Sequence, residues 1–396
     1  MLKADEIDLK IIKGENYWEI KANSLEKISK NSKFLRDLNV TNGNVVMKNS
    51  DDTDVIKLNA NLIYPYKLLS INNEILNTYK IKGAISNSKA HLNINDKVSV
   101  EIDKNIDINM SNCSINLHPL LEMLQTIKQP SNSKKESSIT LKAHDIDISL
   151  GNNRRILAET IDLQYTNKIL TAQLKHKNGS AGLKFNNQNF HIYGSNFNDV
   201  FMDNLFSLSK YKGGSLDFSI TGKITDYSGV FYIKDTTVLD YKVLNNVLAT
   251  INTIPSLVTF SLPGYNKHGL KVDTSYMKFT VKDGLFNVSD FVIDSKELDI
   301  FGKGVANLKK DTIDATVNLR TDLGSNISKI PIVGYIMFNG ESISTNLSIK
   351  GKLSDPQVKS LLAKDIITAP INILKRTVLF PFKLIESVVG DKNSSK

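Results

Sequence analysis

Cysteine is almost missing from this chain of 396 residues, which contains Cys113 and no other. A single thiol excludes an internal disulfide, which fits the cytoplasm or an envelope protein that does not rely on bridges. Long apolar runs are missing too, since no stretch approaches the ~18 apolar residues of a membrane-spanning helix. Residues 1–6 lack the basic and apolar regions of a signal peptide. We expect a cytosolic protein or a piece of a longer chain whose targeting segment lies upstream.

Residues typical of catalytic and metal sites are sparse and scattered. The six histidines lie far apart, and none has a second His or Cys at ligand spacing. "GKGVAN" (302–307) lacks the third glycine of a dinucleotide loop, and "NSDDTD" (49–54) lacks the glycine and glutamate of a calcium loop. No Walker loop and no Gly-x-Ser-x-Gly elbow occurs. The sequence therefore predicts a protein that is not an enzyme and that needs no cofactor or metal.

The net charge of +9 has no concentrated source. Lysines are scattered along the polar sides of the predicted strands, whereas nucleic-acid binders group their basic residues and interleave them with aromatic ones. We therefore expect no nucleic-acid partner.

What the chain does contain is strand after strand with one apolar face. In "FGKGVANLKKDTIDATVNL" (301–319), Ile313, Ala315, Val317 and Leu319 alternate with polar residues, and the Lys309–Asp311 turn joins two such runs. "HLNINDKVSVEIDKNIDINMSNCSINL" (91–117) repeats the pattern with Asp-Lys and Lys-Asn turns. The sequence predicts a mainly β protein of roughly 20 strands, without the βαβ alternation of a parallel sheet.

Helical spacing interrupts the strands at a few places, namely 118–129, 198–210, 241–254 and 357–390. These helices and a polar loop suggest five segments. They are a β segment ending in a helix (1–129), the loop (130–138), a second β segment (139–212), a C-terminal β region with a helix near 241–254 (213–356), and an amphipathic helical tail (357–396).

The tail "KDIITAPINILKRTVLFPFKLIESVV" (364–389) is apolar with a polar stripe, and Lys375 and Arg376 lie in its middle. Such helices favour a membrane interface. A helix that caps the open end of the sheet would have the same pattern, and both can hold together. The predicted interface residues are Ile367, Ile371, Leu374, Lys375, Arg376, Val378, Phe382, Lys383 and Ile385.

The C-terminal half resembles the C-terminal region of the AsmA-like envelope proteins, the group that includes TamB and YhdP. The resemblance covers about residues 213–390. Residues 1–212 share only the general pattern of short, degenerate strands. The matching stretches are, in order, "GGSLDFSITGKI", "LNNVLATINTIPSLVTFSLPG", "HGLKVDTSYMKFTVKDGLFNVSDFVI", "LDIFGKGVANLKKDTIDATVNL" and "ISKIPIVGYIMFNGESISTNLSIKGKLSDPQVK".

This resemblance implies a long twisted antiparallel sheet, curled into an open hydrophobic groove and accompanied by a few short helices. It implies that the protein moves phospholipid between the inner and outer membranes of a Gram-negative envelope. It also implies a periplasmic location, with an inner-membrane anchor that would lie in a segment missing from this chain. Phospholipids, the membrane surface contacted by the C-terminal helices, and other envelope proteins are the expected partners.

The regular strands supply candidates for the lining of such a groove. They are Leu216, Phe218, Ile220, Met277, Phe279, Val281, Ile313, Ala315, Val317, Leu319, Ile343, Leu347 and Ile349. If they line a groove, Phe279→Asp or Val317→Asp should block lipid passage and leave the sheet folded. If they pack a closed core, both substitutions should unfold the protein.

Two alternatives remain open at this point. An envelope scaffold would have a sheet that covers its own apolar face and binds partners through its edges. An outer-membrane β-barrel is disfavoured, because the aromatic residues show no girdle spacing and the chain ends in a polar "GDKNSSK".

Overall fold

The structure is a computed structural model. It describes residues 9–32, 40–50, 55–87, 89–126, 138–151, 153–186, 188–207, 210–239, 269–295, 299–307, 309–322, 337–339, 342–353 and 355–361. Strands dominate these residues, at 74% against 7% helix, so the predicted mainly β class is confirmed.

The described residues form 26 strands and three helices. The strands are β1 (Leu9–Lys13), β2 (Tyr17–Ala22), β3 (Asn42–Ser50), β4 (Ile56–Ile63), β5 (Leu69–Ile71), β6 (Glu74–Ile75), β7 (Thr78–Ser86), β8 (Lys89–Ile94), β9 (Val98–Ile102), β10 (Ile106–Ser111), β11 (Ser114–Asn116), β12 (Ile139–Gly151), β13 (Arg154–Thr166), β14 (Ile169–His176), β15 (Gly179–Asn186), β16 (Asn189–Phe197), β17 (Lys210–Lys212), β18 (Ser215–Lys223), β19 (Asp226–Leu239), β20 (Leu270–Lys282), β21 (Leu285–Asp294), β22 (Asp299–Asn307), β23 (Thr312–Asp322), β24 (Met337–Asn339), β25 (Ser342–Lys352) and β26 (Asp355–Ser360). The helices are α1 (Glu26–Asn31), α2 (Leu117–Thr126) and α3 (Asp199–Phe206).

All strands belong to one open sheet. Its main order is β1-β2-β3-β4-β7-β8-β9-β10-β12-β13-β14-β15-β16-β18-β19-β20-β21-β22-β23-β25-β26. Short strands pair beside the longer ones: β17 extends β18 along β19, and β24 extends β26 along β25. Strand order thus follows chain order closely, as expected for successive hairpins.

One junction departs from the predicted antiparallel pattern. β12 pairs in parallel with both β10 and β11. The chain between β11 and β12 includes α2, which begins at Leu117, directly after β11. Two parallel strands need a crossover of a dozen or more residues, usually with a helix, and this segment supplies it. The sheet is therefore mixed, although every other pairing in the described residues is antiparallel.

The hairpin predicted over 301–319 is confirmed as β22 and β23. Its turn is closed by the Asn307 side chain, whose Oδ1 accepts hydrogen bonds from the backbone N–H groups of Lys309 (3.1 Å) and Lys310 (3.0 Å). Asp311 completes the turn with φ of 51°, a conformation that Asp tolerates better than most residues.

The other predicted helices have mixed outcomes. The helix predicted at 118–129 is α2, with Pro119 in its first turn, and the helix predicted at 198–210 is the shorter α3. The helices predicted at 241–254 and 357–390 lie outside the described residues. The five-segment division stays a prediction, and one continuous sheet crosses its boundary at residue 212, because β16 pairs with β18.

Besides a small cluster of Ala22, Leu25 and Val40 beside α1, two clusters of buried side chains lie in the first part of the sheet. One joins strands β9 to β13 and is centred on Ala143 and Ile146, which are almost fully buried. The other surrounds α3, whose Phe201 and Met202 pack against Phe197 and Leu216. No helix in the described part of the chain is long and apolar enough to cross a membrane.

Candidate functional site

An apolar cavity of about 320 Å³ lies beyond α3, on the second part of the sheet. Its walls are almost wholly aliphatic and aromatic, and Thr236, Ser275 and Lys303 are the polar residues in the lining. The rest of the lining consists of Phe206, Tyr211, Phe231, Ile233, Val238, Leu270, Val272, Met277, Val288, Phe291, Ile293, Ile300, Gly302, Gly304, Val305, Ala306, Ile313, Ala315, Val317 and Ile349. Its size and composition are those of a site for an apolar ligand.

Strand register explains why these residues meet. Residues paired across antiparallel strands lie on the same face of the sheet. Met277 of β20 pairs with Phe291 of β21, which pairs with Gly302 of β22, which pairs with Val317 of β23. One face of the adjacent strands β19 to β23 and β25 therefore lines a single cavity, so this face is concave. We call this concave face the groove.

Helix α3 and strand β17 form one end wall of the groove. The ring of Phe206, at the end of α3, meets Phe231 edge-on with centroids 5.6 Å apart, and Tyr211 lies 6.0 Å from Phe206. Asp203 Oδ1 accepts a 2.7 Å hydrogen bond from the backbone N–H of Tyr211. This bond ties α3 to β17 and holds the aromatic wall across the sheet.

Five of the predicted lining residues border the cavity: Met277, Ile313, Ala315, Val317 and Ile349. They come from β20, β23 and β25, and Met277, Ile313 and Ala315 are half-buried, so a ligand in the groove would reach them.

Others from the same prediction lie in packed surroundings. Leu216 and Phe218 belong to the cluster around α3. Phe279, Val281, Leu319 and Leu347 are buried, and Ile220 is half-buried. Ile343 lies in β25, where it pairs with Thr321 and Phe338, and its side chain is outside what the structure describes.

The predicted interface residues all lie outside the described residues, within 362–396. They are Ile367, Ile371, Leu374, Lys375, Arg376, Val378, Phe382, Lys383 and Ile385. Their role stays a prediction.

Several lining residues were not predicted from the sequence. Phe206 and Tyr211 come from α3 and β17, and nothing in a strand pattern indicates that a helix end will close the groove. Gly302 and Gly304 had a usable signal, because glycine inside a strand often marks a place where another group approaches the backbone closely.

Charge is nearly absent from the groove itself. Lys303 is the one ionisable cation in its lining, and the residue is exposed. No three Asp, Glu, His or Cys side chains of the described residues are grouped closely enough to hold a metal ion. The arrangement can bind an apolar chain by contact and exclude water from it, which requires no reactive group.

One ionisable group with a perturbed pKa lies under α3 and outside the cavity lining. His176 packs against the ring of Phe201, with centroids 5.9 Å apart. Burial lowers the pKa of its imidazole, partly opposed by Glu159. The side chain therefore belongs to the packing beneath the end wall.

Comparison with known protein families identifies a relationship. A model of the family described as "YhdP protein" matches residues 104–358, which is more than half of the chain. The match begins far upstream of the resemblance at 213–390 and includes the parallel junction at β10. No curated protein and no solved structure matches the chain in the corresponding comparisons. The chain belongs to the YhdP family, within the AsmA/TamB-type group of bridge-like envelope proteins.

Proposed function

We propose that this chain is a non-enzymatic lipid-transfer protein of the Gram-negative envelope, which shields phospholipid acyl chains in its groove. Membership of the YhdP family indicates an envelope-associated protein of lipid-transport type. The observation that carries the finer proposal is the apolar groove, formed by one face of six adjacent strands and closed at one end by aromatic side chains.

The free-energy cost of exposing acyl chains to water favours transfer through an apolar groove. Exposing a methylene to water costs about 0.8 kcal/mol, so moving an acyl chain of ~16 carbons from a membrane into water costs roughly 12 kcal/mol. An apolar wall lowers this barrier while the polar head group stays in water at the open side. Contact with aliphatic and aromatic side chains suffices, so the function requires no catalytic residue and no cofactor.

The length of the sheet fits transfer over a distance. With roughly 20 interstrand steps of about 4.8 Å, the sheet extends about 100 Å along its hydrogen-bonding direction. We propose a periplasmic location between the inner and outer membranes, with attachment to the inner membrane. Phospholipids and the membrane surface are the proposed partners, together with other envelope proteins.

The test compares the lipid content of groove and outer-face variants of residues 1–396, purified from a Gram-negative host. The groove variant carries Met277→Asp and Ala315→Asp, both half-buried in the lining. The control carries Thr280→Asp and Thr316→Asp, exposed residues of the same two strands. We expect mass spectrometry to detect phospholipid with the wild type and the control, and little with the groove variant.

Circular dichroism keeps the result interpretable, because both double variants should retain the β spectrum. A wild type that is stable and carries no lipid would refute the proposal. Equal lipid content in the two variants would place the lipid elsewhere on the chain and would refute the assignment to the groove.

An envelope scaffold is the second candidate. It is favoured by the first part of the sheet, where Ala143 and Ile146 are buried among residues of the neighbouring strands. A scaffold would be stable without lipid, so the same purification separates the two candidates.

A further inference from the structure

Three glycines on the apolar face of this sheet lie beneath a phenyl ring. A Cβ at Gly179 would lie 2.6 Å from Cδ1 of Phe197, and a Cβ at Gly229 would lie 2.7 Å from Cζ of Phe279. At Gly194, a Cβ would overlap the ring of Phe218. In each case the ring fills the space that the missing side chain leaves, which keeps the face closely packed.

Gly302 and Gly304 in β22 differ from these glycines. The groups nearest to a Cβ at Gly302 would be the carbonyl oxygen of Thr316 and Cγ2 of Val317, both at 3.3 Å, and the ring edge of Phe291 at 3.5 Å. At Gly304, a Cβ would overlap the methyl of Ala315, so Ala315 fills the space above this glycine. A Cβ at Gly302 would therefore overlap no ring, and both glycines line the cavity.

Gly302 leaves the backbone of β22 open to the cavity. Lys303 and Val305 also border it, although they alternate with the glycines along the strand and so point to the other face. The cavity therefore reaches the strand itself at this place, and β22 is its floor. Beside this floor, Ala306 and Ala315 contribute methyl groups only.

We propose that a lipid acyl chain lies directly over Gly302, in the space that a phenyl ring occupies over Gly179, Gly194 and Gly229. This inference rests on the proposed function and deepens it by naming the residue that sets the depth of the acyl-chain site. The floor is bounded by the aromatic wall of Phe206 and Phe231 on one side. It holds an apolar chain by contact alone, and a side chain at residue 302 would take the place of that chain.

Gly302→Leu tests this. Gly302 is not among the residues with positive φ, so a leucine meets no backbone strain there, and leucine suits a strand interior better than glycine. The matched control is Thr316→Leu, which adds the same side chain to an exposed position paired with Lys303. Binding of the fluorescent fatty acid cis-parinaric acid is measured on the delipidated full chain. We expect Gly302→Leu to weaken binding about tenfold or more and Thr316→Leu to leave it unchanged.

The outcomes separate this inference from the function on which it rests. If Gly302→Leu binds like the wild type while the Met277→Asp, Ala315→Asp variant does not bind, the groove holds lipid but not over Gly302, and the inference is overturned. If the wild type binds no probe and carries no phospholipid, the proposed function fails as well. Thermal unfolding of each variant shows whether lost binding reflects lost structure.

Discussion

Phe279 is one of the most enclosed large side chains of the protein, at 1% exposure. Its ring stacks between Phe231, at 5.2 Å, and Phe286, at 4.6 Å, and covers Gly229. The residue shares the apolar face with Met277, two positions away, but it packs that face and does not border the cavity. An aspartate at residue 279 would be a buried charge without a partner. Phe279→Asp is therefore expected to unfold the sheet locally, whether or not the groove binds lipid.

Phe279→Ala should lower the free energy of unfolding by about 3–5 kcal/mol, because it leaves a cavity among stacked rings. Met277→Ala, on the same strand, should cost less, because Met277 is half-buried beside an existing cavity. Native-state hydrogen exchange of the β20 amides measures both, because it reports the free energy of unfolding of this part of the sheet. Equal losses for the two variants would contradict the distinction between packed and lining residues.

His176 shows how a titratable group is held under the end wall. Its Nε2 atom has no hydrogen-bond partner among the described residues, and the ring faces Phe201. Burial lowers the pKa of the imidazole, Glu159 and Asp147 raise it, and Lys177 lowers it. Burial is the largest of these effects, so the neutral form is favoured in the folded protein.

This depressed pKa predicts a loss of stability in acid. Above the unfolded-state pKa of about 6.5 both states are neutral at this residue. As the pH falls through that value the unfolded state takes up a proton that the folded state does not, so the free energy of unfolding decreases. His176→Leu should flatten the dependence between about pH 7 and pH 5. Burial also lowers the pKa of His191, so His191→Leu is measured alongside as the comparison. If the unfolding free energy of His176→Leu depends on pH as steeply as that of the wild type, the acid sensitivity assigned to His176 is refuted.

At the scale of elements, the hairpins could be predicted because each one is specified locally. Alternation and an Asn or Asp turn fix β22 and β23 without reference to the rest of the chain. The same holds for α3, whose cap residue Asn198 precedes an apolar run. Which strand pairs with β12, and in which direction, depends on a crossover of many residues, and alternation carries no information about it.

The groove was only partly predictable for a similar reason. Alternation identifies the apolar face, and Met277 and Ala315 do lie there. It does not say which parts of that face are covered, because cover comes from distant groups: α3 over Leu216, and neighbouring rings over Phe279. The five lining residues and the buried ones have the same sequence pattern and differ only in what the fold places opposite them.

Helix α3 should be sensitive to its cap. The Asn198 side chain accepts a 3.2 Å hydrogen bond from the backbone N–H of Phe201. Asn198→Ala should destabilise the protein by about 1 kcal/mol and raise hydrogen exchange in α3. Asn204→Ala, in the same helix, removes an exposed bond to the Val200 carbonyl and should have little effect. Equal exchange rates in the two variants would show that the cap does not hold the end wall.

At the scale of the whole molecule, the sheet is built almost entirely from neighbouring contacts. β1 and β26 stand at opposite ends of the strand order, and each strand between them gains its stability from the strands beside it. Proteins of this kind behave as one-dimensional arrays, in which distant parts are coupled only through the parts between them. The groove on β19 to β25 and the first strands are thus separated by many interstrand steps.

Unfolding should therefore not be a single transition. The only tryptophan, Trp18, lies in β2 and reports on the first strands, whereas circular dichroism reports on the whole sheet. We expect the two signals to give different midpoints in urea, in contrast to the coincident transitions of a two-state domain. Phe279→Ala should shift the circular dichroism curve and leave the Trp18 fluorescence curve unchanged. The reason is that β2 pairs with β1 and β3, whereas β20 pairs with β19 and β21, so the two strands are not neighbours. If both curves shift together, the sheet unfolds as one cooperative unit, and damage in the groove is transmitted along its entire length.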